Sequence, residues 1–522
     1  MLRSTIILAI FAAPAFAADG NLTGTVRDAD GKPIPGATVS INHVEGNGKR
    51  FRYSNPTKAG ADGVYRITFA FDDGAAVKIK RLVVSGKGFI QFDDRMLDGV
   101  DVISLTPGLT VTRDFTLARG EPLAGVVDAP PTAAERKQNV PPERRQFEFV
   151  VSGPSFKQLY ATEPGGAFEI AVPAGGKYDL ELLGRQNAVL KGVPAGSRGL
   201  KLVQTFPTLG PDVLGAAFDA LWADMDRHYS YFQLKKIDWA ALKARYRGKV
   251  VAAGNEAAFI VALEEMLAEL KDMHVWIDAA GERVQPFSTP VVPNVNRNVV
   301  LASLTDVQVC GNEFAVVGRT KGDGFATFVM ARQSNADERG VKQVVDFLRV
   351  SRDAPGFIVD LRNANGGNEA FAADIARMFC AKPVVYAKSR YRAGPKHTDL
   401  TPGFERELKP VPDPITKPVV CLLGPGAVSS GEGFAKMMKA LPTVTTVGLP
   451  TRGSSGNPKP FKLPALDMSV YYSRWVDLQP DGTPVEGVGV KPAIVVEATP
   501  DEYRRGDPTW NRGIAVLREK VR

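Results

Sequence analysis

The sequence changes its hydrophobic period part-way along. From about Asn21 to about Thr205 it is rich in Gly, Pro, Val and Thr, and its apolar residues alternate in short runs, the pattern of half-buried strands. After Thr208-Leu209-Gly210-Pro211 the spacing becomes helical, with Leu214, Phe218, Leu221, Trp222 and Met225 on one face. A chain of 522 residues that switches period in this way is expected to fold as several domains.

The first stretch also repeats itself. Gly24-Thr25-Val26-Arg27-Asp28 and the later Ala61-Asp62-Gly63-Val64-Tyr65 have a weaker echo in Gly125-Val126-Val127-Asp128 and Gly165-Gly166-Ala167-Phe168. Two β-sandwich modules in tandem follow from this. Neither carries a catalytic constellation. A carbohydrate- or surface-binding role for them would ask for exposed aromatic residues, and Tyr53, Phe89 and Phe92 serve equally well as core.

The helical stretch continues with Asp238 as an N-cap for Trp239, Leu242 and Tyr246, and then with Phe259, Leu263, Met266, Leu267 and Leu270. It ends at Lys271-Asp272-Met273-His274, so His274 sits at a helix exit before Val275-Trp276-Ile277-Asp278. Taken alone, such a histidine is a favourable partner for the helix dipole. Beyond about Gln285 strands and helices alternate, which implies an open α/β sheet with ligands at the C-terminal ends of its strands. Asp360-Leu361-Arg362-Asn363-Ala364-Asn365-Gly366-Gly367 lies just past one such end.

Ser429 lies past another. Pro418 to Leu423 reads as a buried strand, Gly424 to Gly433 as a break, and Phe434, Met437, Met438 and Leu441 as one helix face. A hydroxyl there is held by rigid elements, and the free N–H groups of the new helix point toward negative charge developing beside it. That suits acyl transfer. The plain structural alternative is that Ser429 and Ser430 cap the helix.

Composition bounds the partners. Residues are 44% hydrophobic and 23% charged, and the net charge of +8 is spread along the chain among 57 acidic residues, a solvated surface and not a nucleic-acid footprint. Three cysteines make no disulfide scaffold, and the four histidines have no metal-ligand spacing, so neither metal nor cofactor is expected. Met1-Leu2-Arg3, the apolar run Ile6 to Phe16 and Ala15-Phe16-Ala17 form the layout of a cleavable secretory signal. The protein is therefore expected to be exported, to a periplasm or beyond, with no integral membrane segment in the mature chain.

From about Leu209 to about Glu497 the chain resembles the tricorn and C-terminal processing (tail-specific) serine peptidases. The resemblance rests on Asp238-Trp239 and Leu270-Lys271-Asp272-Met273-His274, on Asp360-Leu361-Arg362 with Asn365-Gly366-Gly367, on Ser429-Ser430-Gly431-Glu432, on Gly448 to Gly453, and on Glu486-Gly487-Val488-Gly489-Val490-Lys491-Pro492. It implies Ser429 as nucleophile, the Ser430 N–H as one oxyanion donor, and Gly366 or Gly367 as the source of the second. One branch of the family places a lysine base directly after Thr-x-Gly, where this chain has Ser454. The tricorn-like branch implies instead His274 as base and Glu486 as the group that orients it.

Met273 stands where that branch has a serine, so a hydroxyl supporting the base is expected to be missing. Pro492-Ala493 replaces the usual Pro-Asp, and Ile277 to Phe314 is too short for a PDZ domain. The first β-module resembles the carboxypeptidase-regulatory-like module.

The expected layout is multidomain: a signal peptide at 1–17, all-β sandwich modules at 18–120 and 121–206, a helical N-terminal part of the peptidase unit at 207–284, an open α/β (crotonase-like) core at 285–500 and a helical extension at 501–522. The expected function is an exported serine peptidase acting on peptides or unfolded protein segments. A non-catalytic ligand- or peptide-binding protein on the same fold is the alternative, and oligomeric state stays open.

Overall fold

The computed structural model describes residues 20–46, 49–52, 56–69, 77–93, 103–184, 188–279 and 282–522. The expected leader at 1–17 and Tyr53 lie outside them. The chain divides into two compact units, Met1–Thr205 and Phe206–Arg522.

The first unit is all-β apart from short helical turns, and its two modules are built alike. In the first, Gly20–Asp28 pairs antiparallel with Val64–Phe69 and parallel with Phe115–Leu117. In the second, Glu121–Asp128 pairs antiparallel with Ala167–Val172 and parallel with Leu200–Val203. Each of these sheets shares an apolar core with a second sheet, around Tyr65, Ile67 and Val84 in one module and Phe149, Leu180 and Leu202 in the other. The repeated glycines explain the echo in the sequence. Gly63 at φ 77° and Gly166 at φ 87° occupy equivalent tight turns, where a Cβ would come within 2.7 Å of the Val26 carbonyl oxygen and 2.6 Å of that of Val127. Phe89 is buried and Phe92 packs against the same core.

The second unit opens with helices α1 (Pro211–His228), α2 (Trp239–Val251) and α3 (Glu256–Ala268). Asp238 caps α2 by accepting from the Ala241 N–H. Trp222 and Trp239 stack with ring centroids 6.2 Å apart, and each indole N–H donates to the other's backbone carbonyl, which locks α1 to the start of α2.

A seven-stranded sheet follows, made of β1 (Leu304–Cys310), β2 (Ala315–Thr320), β3 (Ala326–Met330), β4 (Phe357–Asp360), β5 (Val419–Leu423), β6 (Val444–Gly448) and β7 (Ile494–Val495) in that spatial order. From β3 onward all neighbours are parallel. Parallel strands need cover on both faces, so β5 reads as an unbroken apolar run. Cys421 and Leu423 face a core shared with Phe434 and Met437, on the side of α4 (Glu338–Val350), α5 (Glu369–Ala376) and α6 (Ser430–Ala440). Val420 and Leu422 face the other, shared with Trp510, Val516 and Leu517 of α7 (Pro508–Val521).

The segment read in sequence as an extension beyond residue 500 thus covers one face of the central sheet. A buried network ties it to the strand ends: Arg362 donates to Asp360, to the Asn294 carbonyl, and to Asp507, the N-cap of α7. Cys310, Cys380 and Cys421 are all buried and free.

Candidate active site

Ser429 joins β5 to α6 with φ 58° and ψ −125°, a conformation that costs a non-glycine residue on the order of 1–3 kcal/mol. Backbone bonds over-determine it. Its N–H donates to the Ser454 carbonyl at 2.8 Å, and its own carbonyl accepts from the N–H groups of Glu432 and Gly433. The half-buried side chain makes no capping hydrogen bond to α6, so the hydroxyl is left for another use.

The glycine loop faces this turn. Gly366 (φ 88°) lies so close that a Cβ there would come within 2.9 Å of the Ser429 Cβ, and Gly367 takes φ 146°. The Ser430 hydroxyl donates to the Gly367 carbonyl at 2.5 Å, and Val428 N–H donates to the Ala364 carbonyl, so loop and turn are cinched together. Among the described residues the backbone N–H groups of Gly366, Gly367 and Ser430 donate to no protein acceptor. Unpaired donors beside a hydroxyl at a helix N-terminus are the arrangement an oxyanion requires. A cleft of about 440 Å³ opens here, bordered by Gly367, Ser429, Ser430, Glu369, Arg406 and Trp475.

His274 arrives from the exit of α3. Lys271 ends the helical path at φ 47°, and the buried Asp272 carboxylate accepts from the His274 backbone N–H, from Tyr229 and from Ser473. His274 is 7% exposed, and burial pushes the imidazole pKa below the ordinary 6.5; the Asp272 and Asp477 carboxylates oppose this and the Lys235 ammonium adds to it. Its Nδ1 lies 2.8 Å from the Ser454 Oγ. A hydroxyl therefore does support the ring, supplied by Ser454 in place of the one expected, and missing, at position 273. Met273 itself packs its sulfur near Arg452 and Thr289.

Glu486 is not brought onto the ring. Its buried carboxylate pairs with Lys235 at 2.6 Å, and its other oxygen lies 3.4 Å from the Ser455 N–H. Burial pushes this carboxyl up, the Asp272 charge adds to that, and Lys235 opposes it. The role of orienting the imidazole, expected for Glu486, has no contact behind it here, because the ammonium from the α1–α2 connection holds the carboxylate.

Two groups that sequence reasoning left without a role shape the site. Glu432, fully buried in the first turn of α6, accepts from the Thr451 hydroxyl and from the N–H groups of Gly453 and Ser454, and so holds the 451–454 loop against the helix. Burial pushes its carboxyl up to about 7 against those bonds. One turn on, the buried Lys436 ammonium pairs with Asp477, which also pairs with Arg406; Arg406 in turn binds Glu369. Only the position of Glu432, three residues past Ser429, signalled it in advance.

Residues 325–496 match peptidase family S41, and residues 216–268 match the tricorn protease C1 domain. A carboxy-terminal-processing protease of Bartonella bacilliformis is 24% identical over 244 residues, 44% of this chain and 53% of the relative. The chain thus spans about half the length of the curated relative it matches. A crystal structure of a Parabacteroides merdae protein described as a candidate peptidase superposes with a TM-score of 0.53 at 25% identity, over 59% of this chain and 97% of that one.

Proposed function

We propose, from the matches of residues 325–496 to peptidase family S41 and of residues 216–268 to the tricorn protease C1 domain, that this chain is a serine peptidase of the tricorn-like and C-terminal processing kind acting on peptides or unfolded protein segments. The observation that carries the reading is Ser429: a strained serine at a helix N-terminus, its hydroxyl unused by the helix, facing the unpaired N–H groups of Gly366, Gly367 and Ser430.

In the proposed reaction the Ser429 Oγ attacks the scissile carbonyl carbon while His274 removes the hydroxyl proton. The carbonyl π electrons move to oxygen, and the Ser430 N–H with that of Gly366 or Gly367 stabilises the oxyanion. His274 returns the proton to the leaving amine as the C–N bond breaks. Water then attacks the acyl-enzyme with His274 again as base, releasing the acid and restoring Ser429. Glu486, held by Lys235, acts behind this machinery and not on the imidazole. Residues 207–284 and 285–500 form the catalytic portion in this reading, the modules at 18–120 and 121–206 are spacers or docking elements, and the segment at 1–17 directs export.

The one observation that favours a non-catalytic peptide-binding protein is the engagement of Glu486 by Lys235. Turnover of a quenched-fluorescence peptide library separates the two readings. Hydrolysis by the wild type that is lost in Ser429→Ala supports the peptidase; equal hydrolysis by both proteins rejects Ser429 as nucleophile.

A further inference from the structure

We propose that Ser454 is the positioning residue of the base: its hydroxyl holds the His274 Nδ1 and presents Nε2 to Ser429. The proposal rests on the peptidase reading above for its catalytic consequence, and on geometry for the contact itself.

Ser454 is 2% exposed and pinned at both ends of its backbone. Its N–H donates to the Glu432 Oε2 at 2.8 Å, and its carbonyl accepts the Ser429 N–H at 2.8 Å. Its side chain, 2.8 Å from the His274 Nδ1, is the one side chain among the described residues hydrogen-bonded to that ring. One residue thus fixes both the backbone of the nucleophile and the ring of the base. Ser454 is one link between the two reacting groups, beside the bonds that hold His274 to Asp272 and Ser429 to the start of α6.

A hydroxyl can accept from Nδ1–H or donate to a bare Nδ1, and the proposed direction of the Ser454–His274 contact is the first. With Ser454 accepting from Nδ1–H, the lone pair is on Nε2, the form a general base needs. The other groups around the ring cannot substitute. Asp272 is engaged by the His274 backbone, Tyr229 and Ser473, while Glu486 is engaged by Lys235, and Asp477 by Lys436 and Arg406.

Two measurements test this. In ¹⁵N-labelled protein carrying Ser429→Ala, long-range ¹H–¹⁵N spectra of the four histidines, with His274 identified by His274→Ala, report the tautomer without any turnover. The expected result is a neutral His274 protonated at Nδ1, and a shift toward a mixture of tautomers when Ser454→Ala is added. In protein with Ser429 intact, Ser454→Ala is expected to lower kcat about tenfold to a hundredfold, as for loss of one well-placed hydrogen bond, with KM changed less than about twofold. An unchanged ring spectrum or an unchanged kcat overturns the proposal. A folded wild type without turnover overturns the peptidase reading itself, and the ring spectrum keeps that failure apart from failure of the Ser454 contact.

Discussion

The two units bury charge in different ways. In the β-unit the side chains of Arg81 and Asp93 form a buried bidentate pair that joins neighbouring strands. In the second unit buried charges form two groups: Asp360, Arg362 and Asp507 tie the strand ends to α7, while Asp272, Glu432, Lys436, Asp477 and Glu486 lie on the segments that frame Ser429 and His274. Removing ions from water costs several kcal/mol each, and apolar replacements often stabilise a fold by 1–4 kcal/mol. The Arg81–Asp93 pair is accounted for by holding strands in register. The cluster around Ser429 and His274 is accounted for by holding the loops that carry them in place.

Substitutions can break that comparison. The largest effect is expected from Ser429→Ala, which should lower turnover about a thousandfold or more while leaving the urea midpoint near that of the wild type, since the lost hydroxyl caps nothing. Next, Asp507→Ala removes both the N-cap of α7 and the partner of the buried Arg362, and should destabilise the second unit by about 3–5 kcal/mol in chemical denaturation. Turnover should fall with it, because Arg362 anchors the strand end that leads to Gly366 and Gly367.

Asp93→Ala should destabilise the β-unit by about 3 kcal/mol yet leave kcat/KM unchanged. A drop in kcat/KM there would end the distinction between structural and site-forming charge. The pH profile sharpens it. Because burial favours the neutral imidazole, His274 should keep its base form to lower pH than a free histidine, so the acid limb of kcat/KM should lie below 6.5; a limb above that value would show the neighbouring carboxylates prevailing over burial. The smallest effect is expected for Glu486→Gln, less than about tenfold in kcat, since the carboxylate touches Lys235 and not the ring.

What was legible in the sequence was local. The buried run of β5, the Gly/Pro/Ser break and the apolar face of α6 mark the Ser429 turn because strand, turn and helix each have a short-range pattern. The Asp-Gly and Gly-Gly turns at Gly63 and Gly166 revealed the repeated sandwich for the same reason: only glycine tolerates those backbone angles against a carbonyl. His274 at the exit of α3 was equally visible.

The partners of these groups were not. Ser454 meets His274 across 180 residues and Lys235 meets Glu486 across 251, and no periodicity encodes such pairings. The assignment of Glu486 to the imidazole came from resemblance, and Lys235, a residue of the helical part that no motif singled out, redirected it. The α7 segment was undervalued because its Trp510 and Leu517 show only that one face is apolar, not which sheet that face covers.

Ser429 as an activated nucleophile with His274 as its base is tested by labelling the purified protein with a fluorophosphonate probe, wild type beside Ser429→Ala and His274→Ala, with the modified peptide mapped by mass spectrometry. The expected result is a phosphonylated Ser429 in the wild type and no label at that site in either variant. Labelling of Ser430 or Ser454 in place of Ser429, or undiminished labelling in His274→Ala, would contradict it.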